Sequence, residues 1–259
     1  MYSTKLLNRH QKDRHLNHSI HKIVLFFFTA IFALINYPSN CNGQDDKESD
    51  WKSIETKKGI EIFSRKINGL EFNEYRGVTQ IKTTLASLVV LLEDTLEYTS
   101  WLHFCKDARI IKNINNTESY LYFVYEISTI TRDMILYTCI FKNSRTDTIF
   151  IKLNNKSFNT TLPFIKQSKF KHISKLATLW MFILQDNGFI KVIYQNYVDP
   201  TPMDFFVKWK VNSKVKELTF KTLDKLRNKV KEEKYSKPEA SILEKIPTKK
   251  SCIDTVKTY

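Results

Sequence analysis

Glycine is scarce in this chain, with five among 259 residues: Gly43, Gly59, Gly69, Gly77 and Gly188. None of them clusters into a phosphate-cradling loop, and none flanks a serine as a nucleophile elbow requires. Nucleotide chemistry on a Gly-rich loop and the G-x-S-x-G type of hydrolase are therefore excluded. Histidine is equally thin where it would matter. Of six histidines, His10, His15, His18 and His21 lie in the basic N-terminal tract, leaving His103 and His172. No H-x-x-x-H or C-x-x-C spacing is present, so the expectation is no metal and no cofactor. Cysteines number four, at Cys41, Cys105, Cys139 and Cys252. Three of them lie beyond the leader, and an odd number gives no disulfide framework; one pairing is possible and none can be assigned. Cys105 and Cys139 read most simply as small buried apolar residues.

Long apolar runs are also missing. IVLFFFTAIFALI, Ile23 to Ile35, would make a helix of roughly 20 Å, short of a hydrocarbon core of about 30 Å. It follows the cations Lys5, Arg9, Lys12, Arg14 and Lys22 and precedes the small-residue end CNG before Gln44, which is the layout of a secretory signal peptide. The expectation is a cleaved signal over 1–43 and a secreted or periplasmic protein; a membrane anchor formed by the uncleaved segment is the alternative. A lipid anchor on Cys41 is disfavoured, because Pro38-Ser39-Asn40 lacks the usual leucine and small residue before it.

What the chain does have is core material and positive charge. Hydrophobic residues make up 42% and aromatics 13%, ample for a packed interior. Net charge is +14. Losing 1–43 removes five Lys/Arg and one Asp, so 41 against 27 becomes 36 against 26, still +10. That balance suits nucleic acid or an anionic membrane, but no interleaved basic-aromatic motif accompanies it, and export disfavours nucleic acid.

After a polar link at 44–50, strand-like stretches follow one another at 59–67, 71–82, 108–114, 118–127, 133–142, 147–155, 177–185 and 189–198. Asn68-Gly69, Asn143 to Asp147 and Asp186-Asn187-Gly188 supply hairpin turns, so the sheet should be antiparallel. TLASLVVLLEDT (84–95) reads as a short apolar helix. Over 203–233, Val211, Val215, Leu218, Thr222, Leu226 and Val230 recur every three or four residues, giving a long helix with one apolar stripe and lysines opposite. Asp199-Pro200-Thr201-Pro202 ends the last strand before it. From 234 to 259 prolines and lysines suggest a frayed basic tail.

Taken in order, WKSIETKKGIEIFSRKI (51–67), LEDT (92–95), WLHFCKDARIIK (101–112), TRDMI (131–135), Trp180, VIYQNYVDP (192–200) and VNS leading into LTFKTLDKLRNKV (211–230) resemble a START domain. That is the lipid-transfer module related to the steroidogenic acute regulatory protein, here in the form of bacterial secreted proteins. The resemblance covers 51–233. It implies an α+β helix-grip fold, START/Bet v 1-like, in which a curved antiparallel sheet wraps a long C-terminal helix around an apolar cavity. It implies non-catalytic binding and transfer of a lipid, sterol or fatty acid, with Trp101, Arg132, Trp180, Tyr194 and Val215 as ligand-binding candidates. No catalytic residues, no nucleic acid, a transient contact with an anionic membrane surface and a monomeric state complete the expectation. Departures from the family pattern at Thr178, Thr201-Pro202 and Thr138, the last standing where sterol carriers keep a buried Arg, bear on ligand identity more than on fold. Arg132-Asp133 reads first as a structural pair beside the cavity, next as a headgroup contact and last as a catalytic dyad. The rival functional reading is a cyclase-like or hydrolytic enzyme on the same fold.

Overall fold

The computed structural model describes residues 50–127, 130–155, 170–173, 175–200 and 208–248. The leader, most of the link and the final residues lie outside them. The chain opens with β1 (Lys52–Lys57), β2 (Ile60–Lys66) and β3 (Asn73–Ile81), followed by α1 (Leu85–Glu93), a 3-10 turn at Thr95–Glu97 and α2 (Tyr98–Trp101). Strands β4 (Cys105–Asn115), β5 (Glu118–Ile127), β6 (Ile130–Lys142) and β7 (Ile149–Asn154) come next. The two-residue β8 (Lys171–His172) precedes the last hairpin, β9 (Lys175–Leu184) and β10 (Ile190–Asp199). Helix α3 (Lys208–Lys229), the short α4 (Glu233–Ser236) and a 3-10 turn at Ala240–Lys245 finish it.

These strands form one sheet in the order β1-β2-β3-β10-β9-β7-β6-β5-β4. Its ladders are antiparallel except for β8, which pairs parallel with β6 through Arg132↔Lys171 and Asp133↔His172. Local chemistry sets the turns. Lys58 and Gly59 both have positive φ, 52° and 70°, which is the twist-compatible geometry of a tight hairpin. At the β4–β5 tip Asn115 Oδ1 accepts the Thr117 N–H at 2.9 Å. After β6 Asn143 Oδ1 accepts from the Arg145 N–H at 2.8 Å. α1 starts where Thr84 caps it, its Oγ1 accepting from the Ser87 N–H at 3.1 Å, so one otherwise unpartnered donor is satisfied.

The expected stripe of α3 is buried from Val215 onward, with Val215, Leu218, Thr222, Leu226 and Val230 all at 4% exposure or less. It lies against β2, β3 and β10. The helix comes close to the sheet at Gly77, where a Cβ would meet Leu223 Cδ1 at 2.4 Å and Thr219 Cγ2 at 2.9 Å. A side chain there has no room, so the glycine sets the distance between helix and sheet. Thr178 also finds a purpose: its hydroxyl donates to Asn196 Oδ1 at 3.3 Å, while Asn196 Nδ2 donates to Thr219 Oγ1 at 3.2 Å. A buried polar chain thus ties β9, β10 and α3.

Three expectations are corrected. Residues 52–57 form a strand that the period-2 reading passes over, because KSIETK sits at the sheet's edge with five of six residues exposed. The tail does not fray at residue 234. Tyr235 is fully buried, its hydroxyl donates to Asp94 Oδ2 at 2.9 Å, Ile246 is buried and the Lys142 N–H donates to the Pro247 carbonyl at 2.9 Å. Finally, Cys139 is disulfide-bonded, whereas Cys105 is a free buried thiol.

Candidate functional site

An apolar chamber of about 350 Å³ opens between the N-terminal half of α3 and the ends of β5, β6, β9 and β10. Side chains two apart on a strand share a face, which brings Tyr125 with Ile127 and Ile130 with Arg132 into it; Val211, Val215 and Leu218 enter from one side of α3. Ile173, Leu176 and Val198 complete the apolar wall. Trp209, 68% exposed, also borders the chamber, as do Lys210 and Lys214.

Of the five candidates, the structure places Arg132 and Val215 on this chamber and the other three behind it. Trp101, Trp180 and Tyr194 are 2%, 3% and 1% exposed. The Trp180 and Tyr194 rings stack at 3.8 Å and Trp101 meets Trp180 edge-on at 6.2 Å. They border a void of about 20 Å³, shared with Tyr98, Phe123 and Tyr125. Burial pushes the phenols of Tyr98, Tyr125 and Tyr194 well above their usual range, so this wall stays neutral. Tyr125 belongs to both the chamber and the void and forms the partition between them. Sequence reasoning did not single it out; its alternation with Ile127 was the available signal. Beyond the void, past Leu92 and Tyr98, a more polar cleft of about 260 Å³ lies between the end of α1 and the β4–β5 hairpin.

Arg132 and Asp133 point to opposite faces of β6. Asp133 is fully buried, with His172 Nδ1 2.5 Å from Oδ1 and the Tyr122 hydroxyl donating to Oδ2 at 3.0 Å. Among the described residues, the Arg132 guanidinium donates at 3.1 Å to the Thr131 carbonyl. The pair is not an ion pair; each member serves its own side of the sheet. Chemistry-bearing groups elsewhere are committed to structure. Burial pushes the Cys105 thiol up to about 12, far from a reactive thiolate. His103 Nε2 lies 3.4 Å from Glu217 Oε1, and burial holds its pKa below the usual imidazole value. The lysines opposite the α3 stripe are largely paired as well: Lys214 and Lys221 reach Glu217 at 2.7 and 3.3 Å, and Lys216 reaches Glu55 at 3.1 Å. Among the described residues no group of His, Cys, Asp and Glu is arranged to hold a metal ion.

A sheet gripping one long helix over an apolar chamber is a helix-grip architecture, and solved structures share that fold. A STAR-related lipid transfer protein from Xanthomonas axonopodis superposes with a TM-score of 0.61 at 22% identity, covering 71% of this chain and 99% of that one. Human StAR-related lipid transfer protein 5 gives 0.60 at 15% identity, over 72% and 88%. The chain folds as a START domain. In sequence, an uncharacterized protein of Pseudomonas aeruginosa is 26% identical over 181 residues, 69% of this chain and 86% of its relative. No family model matches the chain.

Proposed function

We propose that this chain binds one hydrophobic ligand, a lipid, sterol or fatty acid, in the chamber under α3 and carries it without chemical change. The chamber itself is the carrying observation: about 350 Å³, walled largely by aliphatic side chains, within the usual range for a small-molecule site. An apolar chain in a bilayer gains about 0.8 kcal/mol per CH₂, and the aliphatic wall returns a similar amount, so transfer is close to neutral. No His, Cys, Asp or Glu lines the chamber among the described residues, which favours carriage over catalysis. Trp209 and Lys210, exposed at the border of the chamber, are suited to a passing contact with an anionic membrane. A fluorescent fatty acid should titrate to near one per chain and be recovered with unchanged mass. Val215→Trp, which fills the chamber, should abolish binding while leaving the circular dichroism spectrum intact. A chemically altered product would overturn the carrier reading in favour of an enzyme.

We further propose export. The basic leader and apolar run support it, and so does the disulfide at Cys139, since such bonds persist in oxidising compartments. Intact mass of protein from its native source should correspond to a chain starting near Gln44; a mass retaining residues 1–43 overturns it.

A further inference from the structure

The chamber's charge is one-sided. Among the described residues that line it, Arg132, Lys210 and Lys214 are cationic and none is acidic. Several other cations sit beside a carboxylate, as in Arg65 with Glu74 at 2.6 Å, Arg227 with Asp224 at 2.7 Å and Lys229 with Glu97 at 2.9 Å. Arg132 differs from these. It is half-buried against the aliphatic wall, its guanidinium donates to the Thr131 carbonyl at 3.1 Å, and no carboxylate of the described residues pairs with it. A guanidinium carries five donors in a planar fork that matches a carboxylate or phosphate, and holding it partly desolvated without a counter-charge is costly. Lys210 likewise has no carboxylate partner among the described residues and lies 5.8 Å over the Trp209 ring. Lys214 is already committed to Glu217 at 2.7 Å.

We propose that the ligand is a single-headed anionic amphiphile, a carboxylate or phosphate monoester on one apolar chain. The anion sits against Arg132, with Lys210 as the second cation, and the chain runs along Ile173, Val215 and Leu218. The proposal rests on the carrier reading above and narrows it, since a neutral sterol or alcohol would leave Arg132 without a counter-charge among the described residues.

Calorimetric titration of the protein with dodecanoate, monododecyl phosphate and dodecan-1-ol tests it. At least one of the two anions should bind about tenfold or more tighter than the alcohol, as a charge-assisted contact predicts. Whichever anion binds tighter identifies the source as fatty acid or phosphate ester. Arg132→Gln should bring that anion down to the level of the alcohol while changing alcohol affinity by less than about twofold, and Arg132→Lys should recover part of the loss. If Arg132→Gln fails to fold, Lys210→Gln should still lower anion affinity selectively. Equal binding of alcohol and anions overturns the headgroup assignment and leaves the carrier reading standing. Binding of none of the three overturns both.

Discussion

A carboxyl group with no solvent exposure must find its partners within the protein, and Asp133 is such a group. The Tyr122 hydroxyl donates to its Oδ2 at 3.0 Å, and His172 Nδ1 lies 2.5 Å from Oδ1 without hydrogen-bond geometry. Removing the carboxylate strands the buried Tyr122 hydroxyl, so Asp133→Ala should cost about 1–3 kcal/mol. Urea denaturation reads this as a lower midpoint with an unchanged slope. At Glu217 the consequence is one of pH. The hydrogen bond from Lys214, with further ones from Lys221 and His103, lowers its pKa to about 2 against the pull of burial. A depressed folded-state pKa means the stabilisation is present above the ordinary carboxylate value near 4.5 and is lost as pH falls towards 2. Glu217→Gln should therefore be less stable than wild type at pH 6, and the gap should close between pH 4.5 and 2 in acid titrations followed by circular dichroism. The TRDMI motif is visible in the sequence, yet the partner of Asp133 is not. His172 arrives through the parallel β6–β8 pairing, and no local pattern encodes contact across a long connection.

Elements carry their own tests. At Gly77 α3 leaves no room for a Cβ, and Gly77→Ala should cost about 1–3 kcal/mol by forcing Leu223 and Thr219 outward, again measurable by denaturant. At the other end, Tyr235 is fully buried and hydrogen-bonded to Asp94. Tyr235→Ala should cost about 3 kcal/mol, whereas a frayed tail would show no change. Strand alternation made β2 through β7, β9 and β10 legible, and the 3.6-residue stripe made α3 legible, because each element buries one face. β1 escaped because an exposed edge strand has no apolar face to reveal it. The docked segment after α3 escaped for a different reason: isolated apolar residues such as Tyr235 and Ile246 among lysines and prolines carry no period. Trp101, Trp180 and Tyr194 were legible as interior aromatics, but whether an interior aromatic packs or lines a cavity is decided by neighbours from other strands.

At the scale of the whole molecule, three spaces share lining residues among those described: the chamber of about 350 Å³, the void of about 20 Å³ and the polar cleft of about 260 Å³. Tyr125 separates the first two, while Leu92 and Tyr98 separate the second from the third. A ligand chain advancing from the Arg132 end therefore meets Tyr125 as a wall, backed by the stacked rings of Trp180 and Tyr194. Ligand length should then be metered by that wall. For a series of alkanoates, each added CH₂ should tighten binding about fourfold, the equivalent of ~0.8 kcal/mol, until the chain reaches Tyr125, after which affinity should level off or fall. Tyr125→Ala joins the chamber to the void, so the break in the series should move to longer chains while the slope before it stays the same. Stability has to be followed alongside, since truncating a core aromatic costs about 3–5 kcal/mol; Tyr125→Leu offers a milder opening of the same wall. A break that stays at the same chain length in a folded Tyr125 variant would show that the limit is set elsewhere along the chamber.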